Sequence, residues 1–280
     1  MENTQFIIKN YSIERLGIGN ILKCLISALS VNDNTVIECD PSYIYGNYDT
    51  VLDSRFIFNK HVYNRYKYEK VYTCRLLILT SEEHLQNDLP SEYTFMDGLS
   101  NPAFHHLFSF TKRVDWNYDP LLVHNDIKHR IFKIIDKITF TDKVYNEVSR
   151  NILHFKGNNV LGISVRTWTA AHEMNIDRPY SFEAYKTQMD TVIEQHGPIS
   201  HIMFSIDNSK LIEPYIEYCD THHITYTVIT KHDGINDIQY AVSKMLTLSQ
   251  CHYIIGNRIS TFTELIYWFG KCIPRIYTVF

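Results

Sequence analysis

Glycine and proline are scarce, at 10 and 8 of 280 residues, and no tract is biased toward either, which excludes collagen-like and low-complexity chains. No Cys-x-x-Cys pair occurs. The six cysteines are scattered and most sit in apolar runs, so they read as buried thiols rather than disulfides or a zinc knuckle. No block of like charge occurs either. Lys and Arg are intermixed with Asp and Glu at a formal charge of -4, which leaves a nucleic acid no basic stripe to lie along. No stretch approaches ~18 uninterrupted apolar residues, and the opening MENTQFIIKNYS has no basic segment followed by an apolar core. A membrane span and a secretory leader are thus not expected, and the expected location is cytoplasmic.

What is present suits a globular protein. With 45% hydrophobic and 21% charged residues, the chain buries enough apolar surface to offset chain entropy. Its length fits one large or two small domains, since single cores stop growing near ~250 residues.

Along the chain, Gln5 to Lys9 is a short β-rich run, and Leu16-Gly17-Ile18-Gly19-Asn20 reads as a glycine turn. From Ile21 to Val31 apolar residues recur at helical spacing. Thr35 to Cys39 is a second strand, closed by Asp40-Pro41. From Tyr45 to Asp126 the pattern weakens into aromatic-rich irregular sequence, with Tyr72 to Thr80 as its one clear strand. Order returns with a helix over Val144 to Leu153 and a linker at Lys156 to Asn159. Regular alternation follows: strands at Val160 to Val165, Ile199 to Ile206, Ile224 to Ile229, Tyr253 to Gly256 and Ile276 to Phe280. The helices between them are Phe182 to His196, Ser209 to Thr221, Asp237 to Gln250 and Ser260 to Phe269. Strands alternating with helices of this length predict right-handed crossovers and a parallel sheet covered on both faces. The expected organisation is two α/β domains, residues 1–155 and 156–280, with a cleft between them.

In an open parallel sheet, ligands settle outside the carboxyl ends of the strands, so the residues after each apolar run are the candidates. Arg166 follows Val160 to Val165, and a guanidinium at a strand tip can grip a phosphate bidentately or form a surface ion pair. Asp207 and Asn208 follow Ile206, as acceptors for a ribose or base edge or as caps of the next helix. Arg258 and then Ser260, Thr261 and Phe262 follow the Tyr253 strand, placing hydroxyls and amides at a helix start that suits a phosphate or is merely capped.

The order and spacing of these segments resemble those of the fucosyltransferase-like glycosyltransferases of GT-B architecture. That group holds α1,6- and α1,2-fucosyltransferases, nodulation fucosyltransferases and protein O-fucosyltransferases. Leu16 to Asn20 resembles the family's G-x-G-N segment, and Thr35 to Asp40 its next strand. Gly162-Ile163-Ser164-Val165-Arg166 is similar to its G-[VI]-H-[VI]-R motif, and Phe204 to Ser209 to its A-T-D-D-P segment. The most specific match runs from Asp237 through Leu248 to Glu264, including Ile255-Gly256-Asn257-Arg258-Ile259-Ser260-Thr261-Phe262. The resemblance implies two Rossmann-like α/β domains facing a central cleft, with the donor nucleotide sugar in the C-terminal one. It implies inverting transfer to a glycan or glycoprotein hydroxyl, with no metal and no other cofactor. By the same resemblance Arg166 grips the diphosphate, Ser164, Asp207, Asn208, Arg258, Ser260, Thr261 and Phe262 hold the nucleotide sugar, and Gly19 and Asn20 line the cleft from the other side. Consistently, no Asp-x-Asp occurs to hold a metal on the diphosphate.

Three positions depart from the family pattern: Ser164 stands for the motif histidine, Thr167 where a second Arg is frequent, and Asn208 for one aspartate of the acidic pair. Guanine offers adjacent N–H donors to a carboxylate, whereas uracil offers one donor between two carbonyls, which an amide matches. GDP-fucose is the family expectation, and a UDP-sugar such as UDP-xylose competes with it. Inversion needs a base for the acceptor hydroxyl; Glu173 is the candidate, with His172, Asp177 and Asp40 as alternatives. A non-catalytic carbohydrate-binding protein on the same fold is the competing class. The adjacent pairs His105-His106 and His222-His223 are poorly spaced for zinc. Gly17-Ile18-Gly19-Asn20 lacks the third glycine of a dinucleotide fingerprint, though Asp40 stands where a ribose-binding acid would.

Overall fold

The computed structural model describes residues 4–9, 18–29, 33–38, 48–57, 67–73, 118, 121, 125–153, 155, 159–167, 180–258 and 260–279. The chain divides into two compact units, one of Met1–Tyr145 with Ile235–Val242, the other of Asn146–Gly234 with Ser243–Phe280.

In the first unit, β1 (Thr4–Lys9) lies between β2 (Thr35–Glu38) and β3 (Lys67–Thr73), all parallel. Helix α1 (Ile18–Leu29) makes the crossover from β1 to β2. Its buried residues Ile21, Leu22, Leu25, Ile26 and Leu29 recur at helical spacing and form one apolar face. Each such side chain contributes about 1.5–3 kcal/mol when taken out of water. The helix starts at Ile18, so Gly19 lies in its first turn rather than in a glycine turn before it. A helix needs no positive φ, and once the Leu and Ile side chains have a core to enter, Gly19 does not prevent its start.

The segment expected to be irregular contains further order. Residues 50–53 run beside 139–141, tied by Asp53 N–H to Thr139 C=O (3.0 Å), Thr141 N–H to Val51 C=O (2.7 Å) and a Leu52–Phe140 bridge. A second helix, α2 (Asn125–Ile135), packs Ile131, Ile134 and Ile135 inward, and the sequence reading missed it. The third strand begins at Lys67, earlier than the expected Tyr72, and residues 74–80 of that expectation lie outside the described residues.

Helix α3 (Asp142–Ile152) leads into the second unit, whose elements alternate as expected. They are β4 (Val160–Val165), α4 (Phe182–His196), β5 (His201–Ile206), α5 (Glu213–Thr221), β6 (Thr225–Val228), α6 (Asp237–Leu248), whose first half is counted with the first unit, β7 (Tyr253–Asn257), α7 (Thr261–Phe269) and β8 (Arg275–Val279). The five strands are parallel in the order β6-β5-β4-β7-β8, which counted from β4 reads 3-2-1-4-5. Interior strands β4 and β5 are apolar runs buried along almost their whole length. Their core is built with Tyr185, Met189 and Val192 of α4 and Tyr215 and Cys219 of α5, with Tyr215 edge-on to Phe204 at 5.5 Å.

One expected helix is divided. Ser209–Leu211 forms a short 3-10 turn, and α5 starts only at Glu213, because Pro214 has no N–H to carry a continuous helix but suits a first turn. Two glycines admit close packing. A Cβ on Gly162 would meet Ile254 Cδ1 at 2.6 Å and Leu248 Cδ2 at 2.8 Å, and one on Gly256 would meet Thr263 Oγ1 at 2.6 Å. The described cysteines Cys219, Cys251 and Cys272 are free thiols, and burial pushes that of Cys219 up to about 12. Among the described residues no helix is long and apolar enough to cross a membrane.

Candidate functional site

Strand order decides where a ligand can enter the five-stranded sheet. From β4 the chain crosses to β5 on one side, and from β7 it crosses to β8 on the other. Right-handed crossovers moving in opposite directions leave by opposite faces, which opens a crevice at the carboxyl ends of β4 and β7. The last β4–β7 pair is Ile163 with Ile255. Arg166 and Arg258 each stand three residues past that pair, on neighbouring strand ends.

The tip of β4 is pinned from two sides. Arg166 N–H donates to the Tyr185 hydroxyl (3.3 Å), which donates to the Ser164 carbonyl (3.3 Å). One residue on, Thr167 N–H donates to Asp207 Oδ2 (2.9 Å), and its hydroxyl donates to Asp207 Oδ1 (2.8 Å). The β4–β5 register explains the contact. Pairing runs in step to Val165 with Ile206, so Asp207 is the first residue past β5 and its carboxylate continues the ladder onto the end of β4.

Tyrosines underlie this tip. Tyr185 and Tyr215 are fully buried, and Tyr180 donates a hydrogen bond to the Tyr215 hydroxyl (3.2 Å). Burial pushes the phenols of Tyr185 and Tyr215 far above the usual tyrosine value, so both stay neutral. The half-buried Lys244 of α6 is held below the ordinary lysine value by burial, against the opposing pull of the Asp207 carboxylate.

At the end of β7, Arg258 is half-buried and its N–H donates to the Val279 carbonyl (3.2 Å). Ser260 N-caps α7: its hydroxyl oxygen accepts from Phe262 N–H (3.3 Å), and its own N–H donates to the Asn257 carbonyl (3.2 Å). Of the two readings of this helix start, phosphate seat or cap, the amides of Ser260 and Phe262 form the cap and are engaged within the chain. This is the capping that an isolated helix start requires. The hydroxyls of Ser260 and Thr261 and the positive end of the helix dipole remain at this edge. Asn208, exposed, accepts from Lys210 N–H (3.2 Å) and caps the short turn after it.

Seven of the candidate residues thus fall at one sheet edge: Arg166 on β4, Asp207 and Asn208 after β5, and Arg258, Ser260, Thr261 and Phe262 after β7. Ser164 lies on β4 beside Ser205. Gly19 and Asn20 belong to the first turn of α1 in the other unit. Glu173, with His172, Asp177 and Asp40, lies outside the described residues. Sequence reading missed the parts of Tyr185 and Lys244. The lysine had a signal, as the one Lys or Arg in the sequence of α6; the tyrosine had none. Among the described residues, no group of three or more His, Cys, Asp or Glu stands together as a metal site would require.

The two α/β units and their parallel sheets give the chain the GT-B fold of the fucosyltransferase-like proteins. It superposes on POFUT1 in complex with GDP at a TM-score of 0.50 and 11% identity, over 100% of this chain and 99% of that one. It superposes on the NodZ α1,6-fucosyltransferase soaked with GDP-fucose at 0.55 and 13%, over 95% and 92%. For the fucosyltransferase NodZ from Bradyrhizobium the values are 0.52 and 13%, over 94% and 92%. No protein-family model matches the sequence. No curated protein sequence matches it either. The likeness is one of fold, as the fold class read from the sequence anticipates.

Proposed function

We propose that the chain is a glycosyltransferase that takes its sugar from a nucleotide-sugar donor, with the donor diphosphate at the carboxyl edge of the five-stranded sheet. The observation that carries this reading is the adjacency of the β4 and β7 ends, which sets Arg166 beside Arg258 and the hydroxyl-bearing start of α7. A guanidinium binds two phosphate oxygens at once, and a helix start favours negative charge. By family resemblance Asp207 and Asn208, both exposed on the next strand end, are assigned to the nucleoside side of the site. The likeness to structures described with bound GDP and soaked GDP-fucose supports a donor of that kind.

The reaction is a single displacement with inversion. The acceptor hydroxyl oxygen forms a bond to the sugar carbon as the bond to the diphosphate breaks, and a base takes the hydroxyl proton. Glu173 is assigned as that base by family resemblance, and Gly19 and Asn20 are assigned to the site on the same ground. Negative charge builds on the departing diphosphate. With no Asp-x-Asp in the chain, Arg166 and Arg258 are the groups assigned to neutralise it, without a metal. Deleting one such group costs ~3 to 4 kcal/mol of barrier, or at least ~100-fold in turnover.

GDP-fucose is the donor the resemblance favours. Ser164 and Asn208 favour a uracil nucleotide such as UDP-xylose, because an amide suits the donor and acceptor edge of uracil. Thermal shifts with GDP and UDP separate the two, since a ligand at ~100 times its dissociation constant stabilises by ~2.7 kcal/mol. A screen of nucleotide sugars for release of free nucleotide then identifies the donor. If neither nucleotide shifts the melting curve and no sugar nucleotide is hydrolysed, the fold serves carbohydrate binding without turnover, and the proposal is wrong.

A further inference from the structure

The Asp207 carboxylate spends both oxygens on a single residue, Thr167, which directly follows the arginine assigned to the diphosphate. A carboxylate kept to read a base would aim its lone pairs away from the sheet. This one reaches along the strand ends and captures the backbone N–H and the side-chain hydroxyl of the same residue. On the other side, the buried Tyr185 takes the N–H of Arg166 and returns its own proton to Ser164 C=O. Two consecutive N–H groups, those of Arg166 and Thr167, are therefore bound to side chains from two different elements. A strand end normally frays, because past the last rung its amides turn to water. Here the next rungs are supplied by a phenol and a carboxylate.

We propose that Asp207 and Thr167 form a latch that positions Arg166 for the diphosphate. The inference deepens the glycosyltransferase reading and rests on its assignment of Arg166. With the backbone held on both sides, the guanidinium starts from a fixed Cα, and binding has only its side-chain torsions left to order. A group that is placed before the ligand arrives loses less entropy and holds its geometry as charge develops. Thr167 and Asp207 are positioning residues in this scheme. Thr167 is suited to the role, since its hydroxyl donates to one carboxylate oxygen while its N–H reaches the other.

The test is a cycle of variants of the whole chain: Thr167→Val, Asp207→Ala, the double variant and Thr167→Ser. Calorimetry measures binding of GDP, UDP and inorganic pyrophosphate, and melting temperatures check the fold. The latch predicts that Thr167→Val and Asp207→Ala each weaken the preferred nucleoside diphosphate about 10-fold, near the low end of what removing an outer hydrogen bond costs at other sites. Because Thr167→Val removes one of the two contacts that Asp207→Ala removes, the double variant loses about as much as Asp207→Ala alone, not ~100-fold. Pyrophosphate weakens by the same factor as the nucleotide, since it meets Arg166 without a base. Thr167→Ser, which keeps hydroxyl and N–H, recovers most of the affinity; a methyl that merely fills space would give the opposite order of Val and Ser.

Three results overturn the latch. Thr167→Val binding like wild type is one, and multiplicative losses in the double variant are another. The third is an Asp207→Ala variant that loses nucleotide affinity but keeps pyrophosphate affinity, which makes Asp207 a reader of the base. Should Asp207→Ala fail to fold, the contrast of Val and Ser at Thr167 decides alone. A wild-type protein that binds none of the three probes removes the diphosphate reading itself, and the latch with it. Binding by wild type with additive variants removes the latch only.

Discussion

The three-stranded sheet of the first unit and the five-stranded sheet of the second are both parallel, yet they differ in how many of their strands are interior. Among the described residues, β1 alone is flanked on both sides in the first, whereas β5, β4 and β7 all are in the second. Interior strands lose water on both faces, so their sequences become apolar runs such as VLGISV and HIMFSI. The edge strands β6 and β8 keep Thr, Tyr and Arg at exposed or half-exposed positions. Where three interior strands end side by side, the first polar residues past the apolar runs necessarily become neighbours. Arg166, Asp207 and Arg258 are brought together in that way by register.

The largest expected effect follows from assigning the chemistry to the wider sheet. Arg166→Ala lowers donor turnover at least ~100-fold while the melting temperature stays near that of wild type. A variant keeping more than about a tenth of wild-type activity would break the contrast between the two sheets. Next comes the core of the narrower sheet. Leu25, fully buried on α1, loses about 2–5 kcal/mol of stability on mutation to Ala, read by denaturant unfolding.

Gly256→Ala follows. The new Cβ would sit 2.6 Å from Thr263 Oγ1 and 2.8 Å from Thr263 Cγ2, a short side chain on a packed helix start, so α7 must shift from β7 at about 1–3 kcal/mol. Because that shift moves the Ser260 helix start, donor turnover falls along with stability; a stable but inactive variant and a destabilised but fully active one both argue against the placement. The smallest effect belongs to the surface of the first unit. The Lys137–Asp33 pair is 2.7 Å long, but its side chains are 51% and 73% exposed. Lys137→Ala should change stability by less than about 1 kcal/mol and turnover not at all.

How much was legible in the sequence tracks the same difference between the sheets. Strands β4, β5 and β7 and the full span of α4 could be read from apolar runs and from the Gly197-Pro198 stop, because two-sided burial leaves a compositional mark. Strand β3, KYEKVYT, carries no such mark; it is held by backbone pairing to β1, which a sequence does not display. Helix α2 escaped notice because its buried isoleucines are diluted by Lys, His and Arg. The candidate residues at the strand ends could be named because a parallel sheet fixes where ligands meet it. Their partners could not. Thr167 and Asp207 are 40 residues apart, and only the register of Val165 with Ile206 makes them neighbours. The capping roles of Ser260 and Asn208 were legible as alternatives, and both form.

The central claim is that the tip of β4 and the start of α7 face one diphosphate. A crystal structure with GDP or UDP bound tests it most directly. Diphosphate oxygens are expected within about 3 Å of the Arg166 guanidinium and, in the same molecule, of the Ser260 or Thr261 hydroxyl. A nucleotide held elsewhere, with Arg166 and Ser260 directed into separate regions of solvent, would contradict it.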